Sequence, residues 1–229
     1  MNLVDRAKNI LLNPAQEWQR IDDEATSVGG LYIRYIIPLA AIGPVASCIG
    51  MTIFGISVPG GGAYRVPIGA AIRQGVAQYV MALVGVFVLA LIIDELTPYF
   101  RGQDNRYQAL KVAAYSSTPV WVVGVVGLYP ALSILGLLGL YSLYLLYLGL
   151  PVLMRVPEST AKGYTVVVLM CAIGLFFVIG MTAAILGGGP VIQAGAVSSS
   201  WLPVPSFPLP VQLIVSTTRN RALPLNMRS

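Results

Sequence analysis

Alternating apolar and polar positions open the chain. Leu3, Val4, Ala7, Ile10 and Leu11 fall on one helical face, with Asp5, Arg6, Lys8 and Asn9 opposite, which predicts a short amphipathic helix. Asn13-Pro14 ends it and starts a second helix, because proline suits the first helical position and Gln16 stands at capping-box spacing from Asn13. Trp18 and Ile21 share a face of that second helix. This suits a helix lying in the membrane interface with Trp18 at headgroup level, or one packed on the protein's own loops. Asp22-Asp23-Glu24, then Thr26-Ser27 and Gly29-Gly30, read as a linker that closes an N-terminal segment, residues 1–30.

Five long apolar stretches follow, at about 31–56, 76–97, 112–130, 131–154 and 164–187. The first contains Pro38, Gly43 and Pro44. Neighbouring helices can satisfy the backbone groups that proline frees in a membrane, so one kinked span is expected, with Arg34 snorkelling near its start. No charge occurs from Val112 to Met154, about twice the roughly 20 residues that cross a bilayer. That stretch must turn back, and Gly127 to Ser133 holds the turn chemistry. In the 57–75 loop, Pro59-Gly60-Gly61-Gly62 lacks a following Gly-Lys-Ser/Thr and reads as a flexible connection rather than a phosphate loop. Pro203, Pro205, Pro208 and Pro210 forbid a regular helix late in the chain and predict a disordered Pro-rich tail over 189–229. The expected fold is an all-α membrane protein: a five-transmembrane-helix bundle over 31–188 with an N-terminal amphipathic helix and a disordered Pro-rich C-terminal tail.

Composition supports that class. Of 229 residues, 56% are hydrophobic and 10% charged, against roughly 25% charged in an ordinary soluble domain. The lipid bilayer is therefore the first partner. The net charge of +5 reports topology rather than nucleic-acid binding once it is read by position. Arg6, Lys8, Arg20, Arg34, Arg101, Arg106, Lys111, Arg155 and Lys162 fall on one side of a five-span protein. Arg65 and Arg73 fall on the other, with Arg219, Arg221 and Arg228 far along the tail. This bias places the N-terminus in the cytoplasm and the C-terminus outside. Residues 1–30 carry Asp5, Glu17, Asp22, Asp23 and Glu24 and lack the apolar core of a cleaved signal peptide. Histidine is absent, and Cys48 and Cys171 lie inside apolar runs, so no metal site or cofactor is expected.

Few residues could carry chemistry. Asp94 and Glu95 are the acidic pair closest to hydrocarbon, which makes them functional candidates, but adjacent helical residues point about 100° apart. The readings left open are an interfacial pair with Arg101 as partner, a proton or cation relay, and a partner-docking contact. Tyr141, Tyr144 and Tyr147 form a stripe expected to face other helices, with lining of a polar cavity as the alternative. Gly124, Gly127, Gly136, Gly139, Gly174 and Gly180 would permit close helix approach. Ser116-Ser117-Thr118-Pro119 has no histidine or placed lysine beside it, so it is expected to cap or kink the start of span three rather than catalyse. No enzyme is predicted.

Three stretches together resemble the Yip1 domain family. They are Asn13-Pro14 with Trp18 and Ile21; Pro98 to Gly102 leading through Tyr107 to Lys111 and Ala114 to Pro119; and Tyr144 to Pro151 continuing through Pro157 and Lys162 to Tyr164. The resemblance implies five membrane helices with a cytoplasmic N-terminus. Eukaryotic members of the family act in vesicle trafficking and bind Rab-type GTPases through a longer hydrophilic N-terminal region, whereas the short form here is similar to bacterial members of the inner membrane. The implied role is non-enzymatic membrane organisation or assistance to a membrane-protein partner or a second copy. The alternative is a small transporter or channel subunit using Asp94 and Glu95. The candidate functional residues are Asp94, Glu95, Arg101, Tyr144, Tyr147, Gly149, Pro151 and Lys162.

Overall fold

The computed structural model describes residues 2–25, 27–57 and 63–187. The expected tail over 189–229, and the Pro59 to Gly62 part of the glycine-rich loop, lie outside the described residues. Two short helices, α1 (Leu3–Leu12) and α2 (Pro14–Asp23), precede five helical segments long and apolar enough to cross a membrane. These are span one (Val28–Ile53), span two (Ile68–Phe100), span three (Arg106–Leu128), span four (Ile134–Met154) and span five (Glu158–Leu186). Strand pairing among the described residues is a single antiparallel contact, β1 (Ile56–Ser57) with β2 (Ala63–Tyr64), between spans one and two.

Spans two, three and five start earlier than hydropathy alone predicts, at 68 rather than 76, at 106 rather than 112 and at 158 rather than 164. The extra turns carry charged or polar residues that an apolar window rejects. In span three Asn105 caps the helix, its side-chain oxygen accepting from the N–H groups of Tyr107 and Gln108, and Arg106 and Lys111 enter the helix behind it. The Asn13 to Gln16 capping box does not form, since no side-chain bond caps α2, although Pro14 does occupy its first turn.

Span one is not a single regular α-helix around its prolines. A π-helical turn over Tyr32–Ile36 precedes Pro38, and the Ala41 N–H turns to Leu39 O. The Tyr79 hydroxyl of span two donates to Ile37 O at 3.3 Å, supplying a donor from a neighbouring helix. Spans one and three approach through glycine. A Cβ on Gly124 would stand 2.7 Å from Gly43 Cα, and one on Gly127 would stand 2.5 Å from Ser47 Oγ. Gly136, Gly174 and Gly180 have nothing within 4 Å of a Cβ, so these three do not serve helix contact, and Gly139 makes only an ordinary contact with Val120.

The charge-free stretch does turn back within the expected window, at Tyr129-Pro130. Both limbs beside the turn are 3₁₀ rather than α: Gly124–Leu128 in span three and Pro130–Leu140 leading into span four. The second limb has eleven residues, well beyond the three or four usual for this helix. The Ser116 to Pro119 cluster lies between two α-helical pieces of span three, Arg106–Ser116 and Thr118–Val123. Ser116, Ser117 and Thr118 donate their hydroxyls to Val112 O, Ala113 O and Tyr115 O, so the cluster bends the middle of the span and not its start.

One core cluster joins the N-terminal helices to all five spans. Ile10, Trp18 and Ile21 are fully or almost fully buried, at 0%, 0% and 1% exposure. This corrects the interfacial reading of Trp18: its indole packs against Gly149 of span four, where a Cβ would stand 2.7 Å from Trp18 Cζ2. Its other neighbour is Tyr115 of span three, edge-on at 6.4 Å. Gly149→Ala should therefore push the indole out of its slot and cost about 1–3 kcal/mol, the usual range for overpacking. Trp18 emission in a chain carrying Trp121→Phe and Trp201→Phe, followed through thermal unfolding in detergent, checks this; an unshifted spectrum and midpoint would contradict it.

Candidate functional site

One end of the bundle gathers the start of spans one, three and five, the end of spans two and four, and the α1–α2 hairpin. Backbone and side-chain bonds tie these termini together: Gln103 N–H donates to Met154 O at 3.0 Å and the Thr160 hydroxyl to Phe100 O at 2.9 Å. Arg101 and Arg155 end their helices in the left-handed conformation, with φ of 60° and 48°. Two polar clusters are built here.

The first holds the hairpin. Arg6, predicted on the polar face of α1, lies between Leu3 and Ile10 at helical spacing and is only 6% exposed. Its Nη1 donates to Glu17 Oε1 at 2.7 Å, and its Nη2 pairs with Glu24 Oε2. The guanidinium also stands 5.7 Å from the centre of the Tyr115 ring, a cation–π distance. Tyr115 meets Tyr35 of span one at 4.7 Å, and the Tyr35 hydroxyl shares a 2.8 Å hydrogen bond with Thr118. Lys111, 2% exposed, reaches from span three to the end of α2 and donates to Ile21 O at 2.7 Å and Glu24 O at 2.6 Å. It thereby satisfies carbonyls that a helix end leaves unpaired and places a cation at the negative pole of α2. Asp22 closes the rim, accepting from Gln108 Nε2 at 2.8 Å and pairing with Arg155 at 3.6 Å.

The second cluster surrounds Asp94. It is 4% exposed, whereas Glu95 is exposed, so the two carboxylates diverge as the 100° step between neighbours demands. The ionic partner of Asp94 is Arg106 at 3.0 Å and not Arg101, whose side chain is exposed. Asp94 Oδ1 is buried without a hydrogen-bond donor, and the Asp104 carboxylate is a neighbour of the Asp94 side chain. One turn away, the Thr97 hydroxyl, the Tyr164 hydroxyl and Ile93 O converge within 2.7–3.0 Å.

The remaining candidates separate. Gly149 lies in the Trp18 slot and Pro151 sits half-buried inside the same helix. Tyr144 and Tyr147 are 48% and 49% exposed, so their stripe looks outward; the packing face of span four is Leu145, Leu146, Gly149, Leu150 and Leu153. Only Tyr141 turns inward enough to bond, donating to Leu11 O at 3.1 Å. Lys162 is exposed. Sequence reasoning passed over Arg6, Glu17, Lys111 and Tyr115. The available signal was the position of Arg6 one turn from Ile10 and of Glu17 next to Trp18, on faces that are otherwise apolar.

A multi-pass α-helical membrane protein with a docked N-terminal hairpin is the class these features define. Residues 8–181 match the Yip1 domain, and the chain belongs to that family. No curated protein and no solved structure matches it significantly. The three stretches that carry the resemblance in sequence meet in space: Trp18 from the first touches Tyr115 of the second and Gly149 of the third.

Arg6→Met should leave buried Glu17 with only the longer 3.5 Å contact to exposed Arg20 and cost about 1–3 kcal/mol, while Arg6→Met with Glu17→Leu should recover most of that loss. Unfolding in detergent, with proteolysis at the N-terminus as a second readout, compares the two variants; equal loss in both would refute the pairing. Lys111→Met should uncap α2 and cost about 1–3 kcal/mol, with faster cleavage between Asp22 and Val28.

Proposed function

We propose that this protein organises the membrane or assists a membrane-protein partner without catalysing a reaction, and that its N-terminal hairpin is a fixed part of that working surface. The observation that carries the reading is the sealing of α1–α2 to spans three and four by Arg6, Lys111 and the Trp18 slot. A hairpin held by buried charge is a pre-shaped surface rather than a mobile tether. Its exposed neighbours include Arg20, Arg106, Arg155 and Lys162. This concentration of cations supports a cytoplasmic location for that end, the C-terminus lying outside, in a membrane such as the bacterial inner membrane. Tyr144 and Tyr147, facing outward from span four, suit contact with lipid or with another membrane helix, including one from a second copy.

A second reading rests on Asp94. An acidic oxygen buried without a donor, beside Asp104 and Arg106, is the arrangement a proton or cation relay would need, with Arg101 and Glu95 outside it. Asp94→Asn would abolish proton flux in vesicles if this reading holds, and absence of flux in the unaltered protein would dismiss it.

Crosslinking in native membranes tests the first reading. Tyr147→Ala, Gly149→Leu and Lys162→Glu should each lower capture of a partner or a second copy several-fold; undiminished capture by all three would overturn it.

A further inference from the structure

Contacts between the helices fix the depth of the hairpin. Its tip, Leu11, receives the Tyr141 hydroxyl of span four. Gly139 lies beside Val120 of span three, Thr118 bonds Tyr35 of span one, and Ile37 O accepts from Tyr79 of span two. Leu11, Tyr141, Thr118, Tyr35 and Tyr79 thus share one level. From that level to the end of the bundle, Arg106 to Thr118, Tyr141 to Met154 and Tyr79 to Asp94 each cover about 20 Å at about 1.5 Å per residue.

Across this interval the two flanks of the molecule differ. Span two exposes Val80, Val84, Phe87 and Leu91 at 40–52%. The hairpin exposes Gln16, Gln19, Arg20 and Asp23. Apolar side chains on one flank set the hydrocarbon there, yet polar and charged groups at the same depth cannot face acyl chains without a cost of several kcal/mol. Exposed Asn13 and Leu12, the latter 65% exposed, mark the tip together, and beyond them span four shows only apolar Leu140, Leu138 and Leu137.

We infer that phospholipid headgroups and water of one leaflet descend along α1–α2 to the level of Leu12, so that the bilayer is thinned on the hairpin flank and of ordinary thickness beside spans two and five. The ligand class is the polar headgroup of a phospholipid, met by the glutamine side chains and by Arg20. The Arg6 cluster behind them keeps the hairpin upright, so the lipid surface and not the protein bends. This extends the membrane-organising reading to a specific deformation, and its test is independent of partner capture.

Full-length protein with Cys48→Ala and Cys171→Ala, reconstituted in phosphatidylcholine and phosphatidylglycerol vesicles with a membrane-impermeant maleimide on both sides, provides the test. Single cysteines are compared at matched depth: Gln16→Cys with Val80→Cys, and Gln19→Cys with Val84→Cys, with Asp23→Cys as the accessible reference. The hairpin positions should react within about 3-fold of the reference, and the span-two positions at least about 30-fold more slowly, as thiols in hydrocarbon do. Hairpin cysteines as protected as those of span two would overturn the inference. So would span-two cysteines as reactive as the hairpin, since the whole interval would then lie outside the bilayer. Two positions per flank guard against loss of one variant, and unchanged Trp18 emission, read with Trp121→Phe and Trp201→Phe added, confirms that each labelled protein keeps its hairpin docked.

Discussion

The Arg6 to Glu17 ion pair is the contact on which the hairpin end of this molecule depends. Both side chains are almost wholly removed from solvent, at 7% and 2% exposure. Each would carry a desolvation cost of several kcal/mol alone, which the pair offsets together with Glu24 on Arg6 and exposed Arg20 on Glu17. The pair links α1 to α2 across the Asn13-Pro14 turn, and that link presents Ile10, Trp18 and Ile21 as one apolar surface to spans three and four. Glu24 and the Tyr115 ring then take up the rest of the guanidinium, and Lys111 satisfies the carbonyls of Ile21 and Glu24 at the end of α2. Packing and charge are coupled here: the Trp18 slot needs the hairpin closed, and the closed hairpin needs the slot to hide its guanidinium.

That coupling also explains what could be read from the residue pattern. The five spans were legible because hydropathy over a membrane-length window depends on local composition alone. The turn at Tyr129-Pro130 and the irregular helix around the prolines of span one were legible for the same reason. Trp18 was not. An amphipathic helix with a tryptophan looks the same whether its apolar face meets lipid or another helix, and the deciding fact, a glycine at position 149, stands 131 residues away. The tyrosine stripe failed differently: Tyr144 and Tyr147 keep helical spacing, but in lipid an outward tyrosine and an inward one give the same period. Asp94 and Glu95 were recognised as a diverging pair, yet Arg106 displaced Arg101 as the partner because the Thr97–Phe100 turn directs Arg101 outward.

Family membership and geometry now describe one object. The Yip1 domain match begins at Lys8, inside α1, and ends at Met181, inside span five. The second half of α1 and all of α2 thus lie in the matched region, while Arg6 precedes it. A surface assembled from α1, α2 and the ends of five spans offers a partner or a leaflet a fixed shape, and the buried charges make that shape costly to change. The Asp94 cluster shares this end of the bundle and, like the hairpin cluster with Trp18 Nε1 and Gln108 Oε1, leaves a buried polar atom without a partner, but there the atom is a carboxylate oxygen.

The long 3₁₀ limb from Pro130 to Leu140 has a consequence for length. At a rise of about 2.0 Å per residue it reaches about 22 Å, some 5–6 Å further than an α-helix of the same eleven residues. Side chains described along it, from Leu132 to Leu140, are largely exposed, while its inner side lies against span three, with Gly139 beside Val120. Recoiling the limb into an α-helix would draw the Tyr129 turn inward by that difference while the hairpin end stayed clamped. Span four is in this sense a stretched strut: it reaches the Tyr129 turn, held against Phe54 at 5.1 Å, with fewer residues than an all-α span would need.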